Sequence, residues 1–191
     1  MSSLKADFDE LRERIRHGRD LGPASFEPVF YLVFPPGQIL ELKRQMPAWI
    51  SKLQQDGWDV LTFSMAEHIW SVLKEDPLWS LCALEDRSAP LDWARTNKAL
   101  ADILVGEGAL LKRLENALEP LEGKRNAVML VTDLEALHPF LRIGAIESQL
   151  MGKFHVPTVF FYPGVRTGKT NLKFLGFYPA DGNYRSVHVG G

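Results

Sequence analysis

The stretch Asn126–Gly164, NAVMLVTDLEALHPFLRIGAIESQLMGKFHVPTVFFYPG, carries the decision about the fold. Its first piece, Ala127–Val131, is a short apolar run between Lys124-Arg125-Asn126 and Thr132-Asp133. An apolar run without alternation reads as a strand covered on both faces, which calls for helices above and below it. In the second piece, His138–Met151, Pro139 stands where a first helical residue is expected, since its missing N–H would find no partner there. Phe140, Ile143, Ile146 and Leu150 then recur at helical spacing. The third piece, Val156–Tyr162, is aromatic and β-branched, with Pro157 at the start, where a strand tolerates it. Strand, helix and strand predict a βαβ unit with a right-handed crossover.

Upstream, Val29–Phe34 reads as a strand edged by Pro28 and by Pro35-Pro36-Gly37. The following helix, Gln38–Gln55, aligns Ile39, Leu42, Met46, Ile50 and Leu53. Pro47 interrupts it at a cost of about 3 kcal/mol, whereas each buried side chain returns about 1.5–3 kcal/mol, so a kinked helix survives. Trp58–Phe63 is a second strand, and Ser64-Met65-Ala66-Glu67 is a capping box that starts a helix through Leu73. Pro77–Leu121 is helical in pieces divided near Ser88-Ala89-Pro90 and Gly106-Glu107-Gly108, an insertion whose exposed face is available to partners. Downstream, Val165–Asn171 reads as a loop and Leu172–Phe177 as a strand. Asp181-Gly182-Asn183 turns the chain into alternating Tyr184–Val189, as a terminal hairpin or a mixed sheet edge. The expectation is an α/β, three-layer αβα domain over residues 23–191. It has a mainly parallel sheet of about five strands, a helical insertion at about 77–121 and a P-loop-like core without a functional P-loop.

Residues 1–22 form a separate amphipathic segment in which Leu4, Phe8, Leu11 and Ile15 make one narrow apolar seam. The seam either folds back onto its own domain or docks in a partner's groove. With 191 residues, 46% of them apolar, and a formal charge of -2, the chain is one soluble globular domain. No global charge favours nucleic acid, so DNA contact would need a local patch such as Arg12, Arg14, Arg16 and Arg19, or the Arg166–Lys173 loop. Cys82 is the single cysteine and sits in an apolar helical context, which marks a buried structural thiol. No apolar run is long enough for a membrane span and no leader precedes the charged start; the expected location is cytoplasmic.

No catalytic constellation is visible. Gly164-Val165-Arg166-Thr167-Gly168-Lys169-Thr170 resembles a Walker A loop, but it has three residues between the glycines where four are needed, and a strand follows where a helix should. Asp133 at the end of an apolar strand has the position of a Walker B aspartate, and an equally good role in capping the next turn. The histidines His17, His68, His138, His155 and His188 lie on different elements and signal no metal site. Arg142, Tyr162, Asn183, Tyr184 and Arg185 fall near strand ends, where doubly wound folds build their crevices. They are the candidates for a ligand or partner surface. The structural alternative is that Arg142 pairs with a carboxylate and the tyrosines bridge sheet to solvent.

The phrases LVTDLEALHPFLRIGAIESQL, VPTVFFYPG and LKFLGFYPADGNYRSVHV, together with the opening PVFYLVFPPGQILELKRQMPAWISKLQQDGWDV, resemble the BrxB family of the bacterial BREX phage-exclusion systems. The likeness spans Pro28–Val189 and is weakest between Asp76 and Gly123. It implies a non-catalytic subunit of a defence complex, needing no cofactor, whose partners are other BREX proteins: the phosphatase-like PglZ, the ATPase BrxC and the methyltransferase PglX. Two readings stand beside it, a degenerate nucleotide-binding protein using Asp133 and the Arg166/Lys169 loop, and a DNA-binding accessory module.

Overall fold

The computed structural model describes residues 3–18, 28–168, 171–182 and 186–191. The chain runs α1 (Leu4–Gly18), β1 (Val29–Phe34), α2 (Ile39–Gln55), β2 (Asp59–Ser64), α3 (Met65–Glu75), α4 (Trp79–Ser88), α5 (Trp93–Val105) and α6 (Ala109–Leu118). It continues through β3 (Ala127–Thr132), α7 (Ile143–Gln149), β4 (Thr158–Thr167), β5 (Asn171–Phe174) and β6 (Val187–Gly190).

The sheet order is β2-β3-β4-β1-β6, with β5 paired to β4. Every pairing along that path is parallel, whereas β4–β5 is antiparallel. The expected βαβ unit is there, since β3 and β4 lie side by side with Leu130 opposite Val159. Period-two alternation sends each strand's residues to two cores. Phe30, Leu32, Val128, Leu130 and Phe161 face α1 and α2, while Tyr31, Val33, Met129, Val131 and Phe160 face the helices α3 to α7. These are the three layers the apolar runs predict.

Three local expectations change, and one alternative is decided. The central helix starts at Ile143, because Leu134–Leu137 form a 3-10 turn of their own and Pro139 lies in the connection ahead of the helix. β4 runs on to Thr167, so Val165–Thr167 are strand and not loop: Gly164–Thr167 gain hydrogen-bonded partners in Phe174–Asn171. β5 ends at Phe174, and Leu175 takes a left-handed φ of 52° just beyond it. Of the two places expected for the last strand, β6 takes the edge of the mixed sheet and not a hairpin with β5: it lies on the far side of β1, with Phe30 opposite Val187. The alternation of β6 fixes which face each side chain takes, but it does not say which strand edge will accept the backbone.

The breaks at Ser88–Pro90 and Gly106–Gly108 fall where the glycines and proline place them, and they separate α4, α5 and α6 into a layer over one face of the sheet. Among the described residues no helix is long and apolar enough to cross a membrane.

Candidate functional site

Parallel pairing brings strand C-termini to one edge, with Ser64 opposite Thr132 and Val33 opposite Tyr162. At that edge Asp133 leaves β3 in the left-handed region, φ 60°, which short polar side chains tolerate. Its Oδ2 accepts hydrogen bonds from Ser64 Oγ at 2.7 Å and Thr132 Oγ1 at 2.9 Å, and its Oδ1 meets Lys43 Nζ from α2 at 2.7 Å. Lys43 also reaches Glu135 at 2.8 Å. Burial works to raise the Asp133 carboxyl, but hydrogen bonds from Lys43, Ser64 and Thr132 hold it below the usual carboxylate range. Desolvation likewise works against the Lys43 ammonium, and its two carboxylates outweigh it and raise its pKa. Both oxygens of the Walker B-like aspartate are thus engaged by side chains of this chain. Ser64 has a second role, since it also caps α3 by accepting from the Glu67 N–H at 3.3 Å, as the capping box predicts.

In the Walker A-like stretch, Gly164–Thr167 are strand, paired antiparallel with Asn171–Phe174. A Cβ on Gly164 would stand 2.5 Å from the Lys173 carbonyl oxygen and 2.5 Å from the Tyr162 ring, so glycine is there because two strands press together. Gly168 has φ +77° just after β4, and Arg166 Nε donates to its carbonyl at 3.2 Å. Lys169 and Thr170 lie outside the described residues. After β1, Pro36–Gln38 form a 3-10 turn that leads into α2.

Of the strand-end candidates, Tyr162 is no surface residue. It is 1% exposed and packs edge-on against Tyr31 at 5.7 Å and beside Phe174 at 5.5 Å. Tyr31 in turn donates to Glu147 of α7. Arg142 is half-buried, and in place of the expected carboxylate it lies over the Tyr178 ring, 3.2 Å from its centroid, with Phe174 at 5.7 Å. His138 shares a hydrogen bond with the Tyr178 hydroxyl. Tyr178 and Phe174 escaped sequence reading, although the aromatic, proline-bearing run Phe174–Pro179 was a usable signal. Asn183, Tyr184 and Arg185 lie outside the described residues.

The seam Leu4, Phe8, Leu11 and Ile15 is buried to 5% exposure or less in the core shared with α2. Phe8 stacks on Trp49 with centroids 4.3 Å apart. The helix has therefore folded back, and its seam is not a docking face. Its arginines are also engaged: Arg12 with Asp56 at 2.7 Å, Arg14 with Glu10 at 2.7 Å and Arg16 with Glu13 at 2.5 Å. Arg19 lies outside the described residues.

The helical layer presents a different surface. Leu78, Leu81 and Leu84, at the start of and along α4, are 54%, 56% and 63% exposed, and the turn into α5 adds Leu91 and Trp93. Only Cys82 of α4 is fully buried, and burial together with Glu85 and Asp76 pushes its thiol pKa up, so it is a structural thiol. A groove of about 860 Å³ runs between α4 and the neighbouring helices, with Val72, Cys82 and Ile103 in its wall and Leu78 at its margin. Sequence carried a hint of this surface: α4 bears leucines at 78, 81 and 84 as well as Trp79 and Cys82, more apolar side chains than one buried stripe consumes. Among the described residues no group of three or more His, Cys, Asp or Glu side chains is placed to hold a metal ion.

A family model described as BREX protein BrxB matches residues 61–189. The matched span runs from within β2 to β6 and includes the helical layer and Arg142, while α1, β1 and α2 lie outside it. No curated protein and no solved structure matches the chain.

Proposed function

The chain belongs to the BrxB family and so is a component of a BREX anti-phage system, and from that premise we propose that it works as a non-catalytic scaffold, holding other components together by protein–protein contact. The observation that carries this reading is the exposed apolar row Leu78, Leu81 and Leu84 on the helical layer. Monomeric proteins rarely leave large apolar side chains clustered in water, because each one withheld from burial forgoes about 1.5–3 kcal/mol. The strand-end edge, where a related architecture would bind a ligand, instead has its aspartate tied to Lys43. In the same reading the core is P-loop-like, with Pro35-Pro36-Gly37-Gln38 in place of a phosphate-binding turn; two adjacent prolines supply no N–H donors to a phosphate.

The partners this role calls for are the BREX proteins of the PglZ, BrxC and PglX types, met in the cytoplasm. The test is affinity purification of the tagged chain from its native host, with the neighbouring genes at natural expression and at moderate salt. Stoichiometric recovery of one of these components is the expected result. Recovery of the chain alone sinks the scaffold reading.

A further inference from the structure

The charges around α4 say more about what covers it. From Glu75 to Asp92 the acids are Glu75, Asp76, Glu85, Asp86 and Asp92, against the single base Arg87. Lys74, just ahead, is committed to the Trp70 ring at 4.8 Å. Two of the acids are met by bases of the neighbouring helices, Glu85 by Arg95 at 2.5 Å and Glu75 by Arg113. Asp76 and Asp92 are turned to their own backbone, accepting from the Leu78 and Arg95 N–H groups. The groove lining adds Glu107, Lys112 and Asp102, the last paired with Lys98 at 2.7 Å. The acids around this apolar row outnumber its bases, which favours a cationic occupant over nucleic acid or anionic lipid. The same excess also opposes a two-fold contact with a second copy, because α4 against α4 would bring the same acids face to face. What complements it is an apolar stripe flanked by positive charge.

Resting on the scaffold reading, we propose that α4 and the groove beside it receive a basic amphipathic helix of another protein. Leu78, Leu81 and Leu84, spaced by three from the start of α4, offer knobs between which side chains at i, i+3 and i+4 of the incoming helix seat, and the groove, which Leu78 lines, takes an apolar anchor at that end. Its lysines and arginines then meet Asp76, Asp86, Asp92 and Glu107 at the rim, where they favour this partner over acidic or neutral helices.

The test is photo-crosslinking in the native host from Leu81→benzoylphenylalanine and Leu84→benzoylphenylalanine, with Leu40→benzoylphenylalanine as an exposed control on the opposite layer. The expected crosslinks from positions 81 and 84, absent from position 40, map to a partner segment with apolar residues at helical spacing and more Lys and Arg than Asp and Glu. A Leu81→Glu, Leu84→Glu chain keeps its fold, because both side chains are exposed, and recovers at least roughly tenfold less of that partner, as loss of hot-spot contacts demands. Raised salt weakens the wild-type complex. Crosslinks to a second copy, or to an acidic or non-helical segment, overturn the proposal. So does a partner recovered undiminished by the double variant or captured only from position 40, and in that case the scaffold reading stands. A wild-type chain that recovers no component removes both.

Discussion

At the scale of single residues, two titratable groups, the buried His188 and the half-buried Asp133, shape how the fold answers to acid. His188 is 7% exposed, and burial together with the positive Arg166 lowers its pKa from 6.5 to about 4. A histidine whose folded pKa lies below its unfolded value adds stability that is complete above pH 6.5 and drains away as pH falls toward the folded value. At about 1.4 kcal/mol per pKa unit that loss is on the order of 3 kcal/mol. Asp133 has the usual carboxylate behaviour: its folded pKa is depressed, so its contribution is present above its unfolded value of 3.8 and lost as pH drops through the folded one. Urea titrations of the wild type from pH 7 to pH 3 should therefore show two successive declines. His188→Phe should flatten the first and leave the second, and Asp133→Asn should do the reverse. A first decline unchanged in His188→Phe would remove histidine as its source. None of this was legible beforehand, because a pKa depends on what surrounds the group, and Lys43, Ser64 and Arg166 are remote in sequence from the groups they act on.

At the scale of elements, α1 shows what periodicity can and cannot say. Leu4, Phe8, Leu11 and Ile15 announce a helix with one apolar seam, and the helix is there. Whether its seam meets its own sheet or another protein is not encoded in the spacing; Trp49, Phe30 and Val189, which build the same core, settle it. Phe8→Ala should accordingly cost about 3–5 kcal/mol of unfolding free energy, the range for emptying a buried aromatic site. An unchanged denaturation midpoint would mean that the seam is not part of the core. The antiparallel pair of β4 and β5 makes a second case. Its glycines imitate a phosphate loop in sequence, and only the pairing of Gly164 with Phe174 reveals that close strand approach accounts for the first of them.

At the scale of the whole molecule, the parallel sheet carries two layers of unequal character: α1 and α2 are sealed against it, and α3 to α6 hold the leucine row in solvent. On the scaffold reading proposed above, binding falls to the open layer and the strand-end edge has no ligand to hold. Thermal unfolding with about 1 mM ATP or GTP and magnesium should therefore show no rise in Tm, since only a ligand that binds the native state raises it. A rise that Asp133→Asn abolishes would restore the nucleotide-binding reading. By itself, the sequence determined the α/β class, the βαβ unit of β3 and β4, the capping role of Ser64, the helical breaks of the insertion and the family, because these follow from local spacing and from ordered motifs. The tertiary structure alone decided that β6 lies beside β1, that Tyr162 is buried, that Arg142 rests on Tyr178, that Lys43 holds Asp133 and that the leucines of α4 remain uncovered. Periodicity tells which face of an element is apolar; which distant segment covers that face depends on chain packing that no local pattern contains.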